Sequence, residues 1–160
     1  MAAPAKAPGT TEGYVCAAAK AVPEAEGMIA PELLGEEKPG EENPPMMPAD
    51  ARRRLRDALR RPSVRTDEER LENAVLVTSE LVTNAIRHGG GLTGFSVTVL
   101  DDSCEVTVAD RSTRLPSART WRCDIHPGGF GWPIVHRLAN AVAVTVTSTG
   151  KTIRVILPLR

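Results

Sequence analysis

Aromatic residues are nearly missing from this chain: two Trp, two Phe and one Tyr in 160 residues. Any core must therefore be assembled from Val, Leu, Ile and Ala. Cysteine is scarce as well. Cys16, Cys104 and Cys123 are an odd number without framework spacing, which argues against a disulfide-stapled secreted scaffold and fits a reducing compartment. No apolar run approaches the ~18 residues of a membrane span. The N-terminus has Lys6 but no apolar stretch before its small residues, so it does not read as a secretory signal. A cytoplasmic protein is the resulting expectation. Net charge is lacking too, since 20 basic side chains balance 20 acidic ones. Nothing in that balance pulls toward nucleic acid or membrane.

The charge that is present is uneven. Residues 52–61 carry six arginines, whereas the charges of residues 24–42 are mostly acidic. Residues 1–48 are dominated by Pro, Ala, Gly and Glu, and "PGEENPPMMP" breaks regular structure. This segment reads as a disordered or loosely docked tail. Residues 49–160 read as one domain, long enough to bury a core.

Within that domain the apolar spacing predicts a helix over "ADARRRLRDALRR", with Asp50 as N-cap and Pro62 just past its end. A longer helix follows in "TDEERLENAVLVTSELVTNAIRHGGG". Thr66 or Asp67 caps it, Glu68 and Glu69 suit the positive end of its dipole, and Gly89 stops it. Period-2 runs at 95–102 and 103–110 read as a hairpin, and "VAVTVTS" with "KTIRVILPL" as another. Between the hairpins lie an aperiodic loop, 111–128, and a short glycine-led helix. Helices packed on one face of a mostly antiparallel sheet, an α+β two-layer sandwich, is the expected architecture.

Several local signals carry chemistry. Glu80, Asn84 and His88 are four residues apart in "SELVTNAIRHGGG", so they share one helix face. Such a stripe is either a solvated surface or the wall of a site. As a wall, Glu80 could take a proton from an attacking hydroxyl and Asn84 could offer an oxygen to Mg²⁺ beside phosphate. Asp110 closes a strand, where it either bonds its own following turn or accepts a hydrogen bond from an exocyclic amine such as that of adenine. Gly128, Gly129 and Gly131 precede a helix, which fits a flexible hinge or a phosphate cradle at a helix N-terminus.

Other signals are weaker. "STGKT" (148–152) resembles the end of a P-loop, but Thr145 stands where the first glycine is required and a strand follows, so Thr149-Gly150 reads as a hairpin turn. Cys123, Asp124 and His126 lack a second ligand cluster for a metal. The arginine helix reads as a solvated face, with a site for phosphate or an acidic partner as an alternative. No recognition motif accompanies it, and direct nucleic-acid binding is not expected.

Taken in order, "SELVTNAIRHG", "VADRSTRLP", "GGFGWPIV" and "GKTIRVILPL" resemble the GHKL (Bergerat-fold) ATPases. The likeness is nearest to the histidine-kinase-like domains of bacterial anti-sigma-factor serine kinases, the short stand-alone kind found in actinobacteria, and it spans roughly residues 47–160. It implies ATP and Mg²⁺ as cofactors. Glu80 would be the catalytic base, Asn84 the Mg²⁺ ligand, and His88 a neighbour of the phosphates. Asp110 would bind the adenine amine, with Ser112 beside it. Gly129 and Gly131 would embrace the phosphates, Thr152 would contact the adenine side, and 111–128 would be the lid over the nucleotide.

The implied activity is transfer of the γ-phosphoryl group to a serine of an anti-anti-sigma factor, with sequestration of a sigma factor. A homodimer is compatible with the resemblance. Phe130 and Trp132 depart from the family pattern and are expected to narrow the phosphate site. The alternative is therefore a catalytically weak or inactive ATP-binding module that regulates transcription by protein–protein binding only.

Overall fold

A computed structural model of the chain describes residues 12–16, 44, 47–116 and 131–160. It contains β1 (Glu12–Cys16), α1 (Pro48–Leu59), α2 (Glu68–His88), β2 (Leu92–Val99), β3 (Ser103–Asp110), α3 (Gly131–Leu138), β4 (Ala141–Thr147) and β5 (Gly150–Pro158). The strands form one five-stranded sheet in the order β1-β4-β5-β3-β2. Every pairing in it is antiparallel. Three helices and this sheet make a two-layer α+β fold, as the order of elements predicts.

Helix α1 starts one turn earlier than expected. Met47 is its N-cap and Pro48 occupies the first turn, where a fixed φ and a missing N–H cost nothing. Asp50 lies inside that turn and pairs with Arg53 at 3.0 Å. Helix α2 begins after Asp67 and ends at Gly89. Ala51, Leu55 and Leu59 of α1, together with Ala74, Val75, Val77, Leu81, Val82 and Ala85 of α2, are buried. They cover alternate residues of the strands, among them Phe95, Cys104, Val106, Val108, Val142, Val144, Ile153, Val155 and Leu157. Side chains alternate along a strand, so this list also fixes which sheet face meets the helices.

Strand β1 falls within the stretch read as a tail, and pairs with β4 from Glu12↔Val146 to Cys16↔Val142. The β4–β5 turn is Ser148-Thr149, one residue before the expected position, because Gly150 already pairs with Thr147. Thr147 stabilises it: its hydroxyl accepts from the Thr149 N–H at 3.3 Å and donates to the Gly150 carbonyl at 3.2 Å. Among the described residues no helix is long and apolar enough to cross a membrane.

Candidate functional site

The C-terminal half of α2 organises the site. Its apolar stripe turns into the sheet, which leaves Glu80 and Asn84 half-buried at the rim and His88 exposed at the helix end. Helix α3 arrives from the other side. A Cβ added to Gly131, its first residue, would collide with the Glu80 carboxylate. Glycine is therefore what lets the start of α3 seat directly against Glu80. Neither Glu80 nor Asn84 has a hydrogen-bond or ion-pair partner among the described residues, while other half-buried polar side chains such as Ser79 do.

Three glycines follow α2, and two constraints account for them. A Cβ on Gly89 would strike the Asp110 side chain and lie 2.6 Å from the Ala85 carbonyl oxygen. Gly90 and Gly91 have φ of 71° and 104°, which L side chains rarely adopt. The guanidinium of Arg111 donates to the Gly90 carbonyl at 3.4 Å, tying this turn to the segment after Asp110.

Asp110 ends β3 on the helix-facing side and is buried. Its Oδ1 accepts the Ser112 N–H at 2.8 Å, the local turn bond that its position suggests. The Ser112 hydroxyl in turn accepts the Arg114 N–H at 3.2 Å. The sequence reading missed the other partner. Lys151 stands directly opposite Asp110 in the β3–β5 register. Its Nζ lies 2.9 Å from Oδ1 and 2.8 Å from Oδ2. The pair is almost fully desolvated, with side-chain exposures of 8% for Lys151 and 4% for Asp110. Gly150 permits this packing, because a Cβ there would collide with the Asp110 carbonyl oxygen.

Thr152 is not brought to this group. It pairs with Ala109 and Thr145, one residue along from Lys151, and strand alternation turns it to the opposite face of the sheet. Gly129 and residues 117–128 of the expected lid lie outside the described residues, as do Phe130, Cys123, Asp124 and His126. Trp132 packs against the core and meets His136 edge-to-face, with ring centroids 5.0 Å apart and planes at 84°. Burial lowers the pKa of His136, so the neutral ring is favoured there. No cluster of three or more metal-ligating side chains exists among the described residues, and a cation would need oxygens from a ligand. A separate shallow groove runs between Arg54, Asp57, Ala58 and Arg61 of α1 and Phe95–Val97 of β2, away from Glu80 and Asp110.

Glu80 and Asp110 thus lie toward opposite ends of the C-terminal half of α2, and the strip of surface between them is called the trough below. From Glu80 to Gly89, against which Asp110 packs, is nine residues, about 13 Å of helix at ~1.5 Å rise per residue. One end has an unpaired carboxylate, a carboxamide and a glycine-led helix N-terminus. The other has a buried acceptor and donor set side by side.

Comparison with known proteins places the chain in a family. The family described as "Histidine kinase-like ATPase domain" matches residues 42–157. The chain belongs to this family of GHKL-type ATPases, whose domains bind ATP in regulatory proteins. No curated protein matches it. Among solved structures it is similar to the "Histidine kinase domain from Erythrobacter litoralis EL346 blue-light activated histidine kinase", with 22% identity and a TM-score of 0.44. That match covers 70% of this chain and 63% of the other; the chain spans less than two thirds of the length of that protein chain.

Proposed function

We propose that the trough holds Mg·ATP and that the protein is a serine/threonine kinase acting on an anti-anti-sigma partner, sequestering a sigma factor when that partner is absent or phosphorylated. The observation that carries this reading is the pairing of Glu80 and Asn84. They are two half-buried polar side chains one helical turn apart, unpartnered among the described residues, beside the N-terminus of α3. Both side chains remain reachable from solvent, and a ligand that supplies a cation and phosphate oxygens would engage the two together.

In this reading the Asn84 carboxamide oxygen binds Mg²⁺, a hard cation that takes oxygen ligands and retains waters and phosphates. The bound cation supplies neutralisation of charge on the transferring phosphoryl group. The Glu80 carboxylate accepts the proton of the attacking serine hydroxyl. The backbone N–H groups in the first turn of α3, which lack intrahelical acceptors, would favour the phosphate chain. Asp110 accepts a hydrogen bond from the base. His88 at the end of the stripe and Ser112 beside Asp110 flank the trough. The partner identities rest on the sequence resemblance described above.

The test is phosphoryl transfer from labelled Mg·ATP to a serine-bearing anti-anti-sigma protein. Transfer by the wild type that falls roughly 10²- to 10⁴-fold in Glu80→Ala supports the kinase, that range being typical of a general base. Tight ATP binding with no transfer would make the protein a regulatory binding module instead.

A further inference from the structure

We propose that Lys151 is a specificity-determining residue that reads the nucleobase together with Asp110. The proposal rests on the trough being a nucleotide site. Its starting point is that the Asp110 carboxylate is already engaged. Both of its oxygens lie within 2.9 Å of the Lys151 ammonium, and Oδ1 also accepts the Ser112 N–H. Both side chains are more than nine-tenths buried.

Two outcomes are conceivable when a ligand arrives. It can expel Lys151, or it can dock on the intact pair. Expulsion would strand a buried ammonium and send the ligand to a carboxylate that has lost its counter-charge, which is strongly unfavourable. The strand register also holds Lys151 in place, since its backbone is paired with both Asp110 and Val146. The ligand therefore meets the pair.

The pair has a definite hydrogen-bonding code. An ammonium has three N–H donors, and the two Asp110 oxygens use at most two of them. A carboxylate has about four acceptor directions. Lys151 donates to Oδ1 and lies 2.8 Å from Oδ2, and Ser112 takes a second direction on Oδ1, so Oδ2 retains at least one. What is left is at least one acceptor and one donor, adjacent, on a nearly desolvated pair. The complement is a ring with an exocyclic amine next to an acceptor nitrogen. Adenine offers this twice, with N1 on one side of its N6 amine and N7 on the other, and we assign N6 to Asp110 and N1 to Lys151. A lone carboxylate would read only the amine, whereas the pair reads the ring nitrogen as well. Thr152 faces the other side of the sheet and does not compete for this role.

The experiment compares binding of ATP and 1-deaza-ATP, in which N1 is a C–H group, to the full chain with Mg²⁺ by calorimetry. Wild type is expected to bind the analogue roughly 10- to 100-fold more weakly, as for loss of one hydrogen bond to a charged donor. In Lys151→Met the two nucleotides should bind alike, and Lys151→Arg should retain a preference. Because Lys151→Met leaves Asp110 unpaired, Asp110→Asn/Lys151→Met provides a version without buried charge, and it too should bind both alike. A purely structural role for Lys151 would lower stability without moving the ratio of the two affinities. Equal binding of both nucleotides by wild type, or a preference that survives without Lys151, overturns this assignment and leaves the nucleotide site standing. Failure of wild type to bind ATP at all overturns both.

Discussion

Gly131 is glycine because Glu80 occupies the space that its side chain would fill. The first residue of α3 and a carboxylate on α2 are in direct contact, which fixes where the helix N-terminus sits relative to the proposed base. Gly131→Ala should therefore separate stability from activity. Alanine is the better helix former by up to ~1 kcal/mol, and the obstructing atom is the far end of a flexible side chain. The melting temperature should stay near that of wild type, while displacement of the carboxylate lowers phosphoryl transfer by roughly 10²-fold. A variant with unchanged transfer would show that the position of Glu80 does not matter.

The Asp110–Lys151 pair should behave as one unit in stability. Removing one partner leaves a buried charge uncompensated, a cost of about 3–5 kcal/mol. Asp110→Leu and Lys151→Met are each expected to be strongly destabilising in urea titrations. The double variant should recover most of the loss, because two apolar side chains replace both charges. Simple addition of the two single effects would contradict the coupling seen at 2.8 Å.

Much of the architecture was legible in the sequence. The stripe of α2 repeats at helical spacing, with acidic residues at its start and glycine at its end, and the structure confirms its limits. Both hairpins show period-2 alternation over Val and Thr. The misses have physical causes. Met47 rather than Asp50 begins α1 because Pro48 suits the first turn better than it suits the tail. Strand β1 forms by pairing along β4, and a five-residue partner of an edge strand need carry no local pattern of its own. Lys151 was visible only as a fragment of a rejected phosphate-loop motif. Its contact with Asp110 depends on β3 pairing with β5, two strands with residues 111–149 between them, and residue spacing alone does not specify that register. The same register shows why Thr152 faces away.

Backbone conformation after α2 gives a third prediction. Gly90 has φ of 71°, and a Cβ there would make only an ordinary 3.5 Å contact with the Arg111 Cβ, so Gly90→Ala chiefly reports backbone strain. The left-handed region costs a non-glycine residue roughly 1–2 kcal/mol. Thermal melts should show a loss of several degrees, about 3–6 °C per kcal/mol for a domain of this size. Gly91→Ala should cost more, because its φ is 104° and its Cβ would lie 2.8 Å from Nη1 of Arg111. An unchanged melting temperature in Gly90→Ala would contradict the strained turn.

Cys104 supplies a pH-dependent prediction. The thiol is fully buried, and desolvation raises its pKa from 9.0 to about 11. The unfolded chain therefore loses this proton before the folded chain does. The contribution is intact below pH 9 and declines as pH rises toward about 11, by roughly 2–3 kcal/mol at ~1.4 kcal/mol per pKa unit. Comparing urea unfolding of wild type and Cys104→Val at pH 8 and pH 10.5 isolates it. Wild type should lose more stability over that interval than the variant, and equal losses would show that the thiol titrates normally.

The account turns on ATP occupying the trough between Glu80 and Asp110 with Mg²⁺ on Asn84. Calorimetric titration of ATP into the full chain, with and without Mg²⁺, tests it most directly. The predicted result is saturable binding that Mg²⁺ strengthens in wild type, with that strengthening lost in Asn84→Ala while the fold is retained. Absence of binding heat with any adenine nucleotide, or a Mg²⁺ effect that persists without the Asn84 carboxamide, would contradict it.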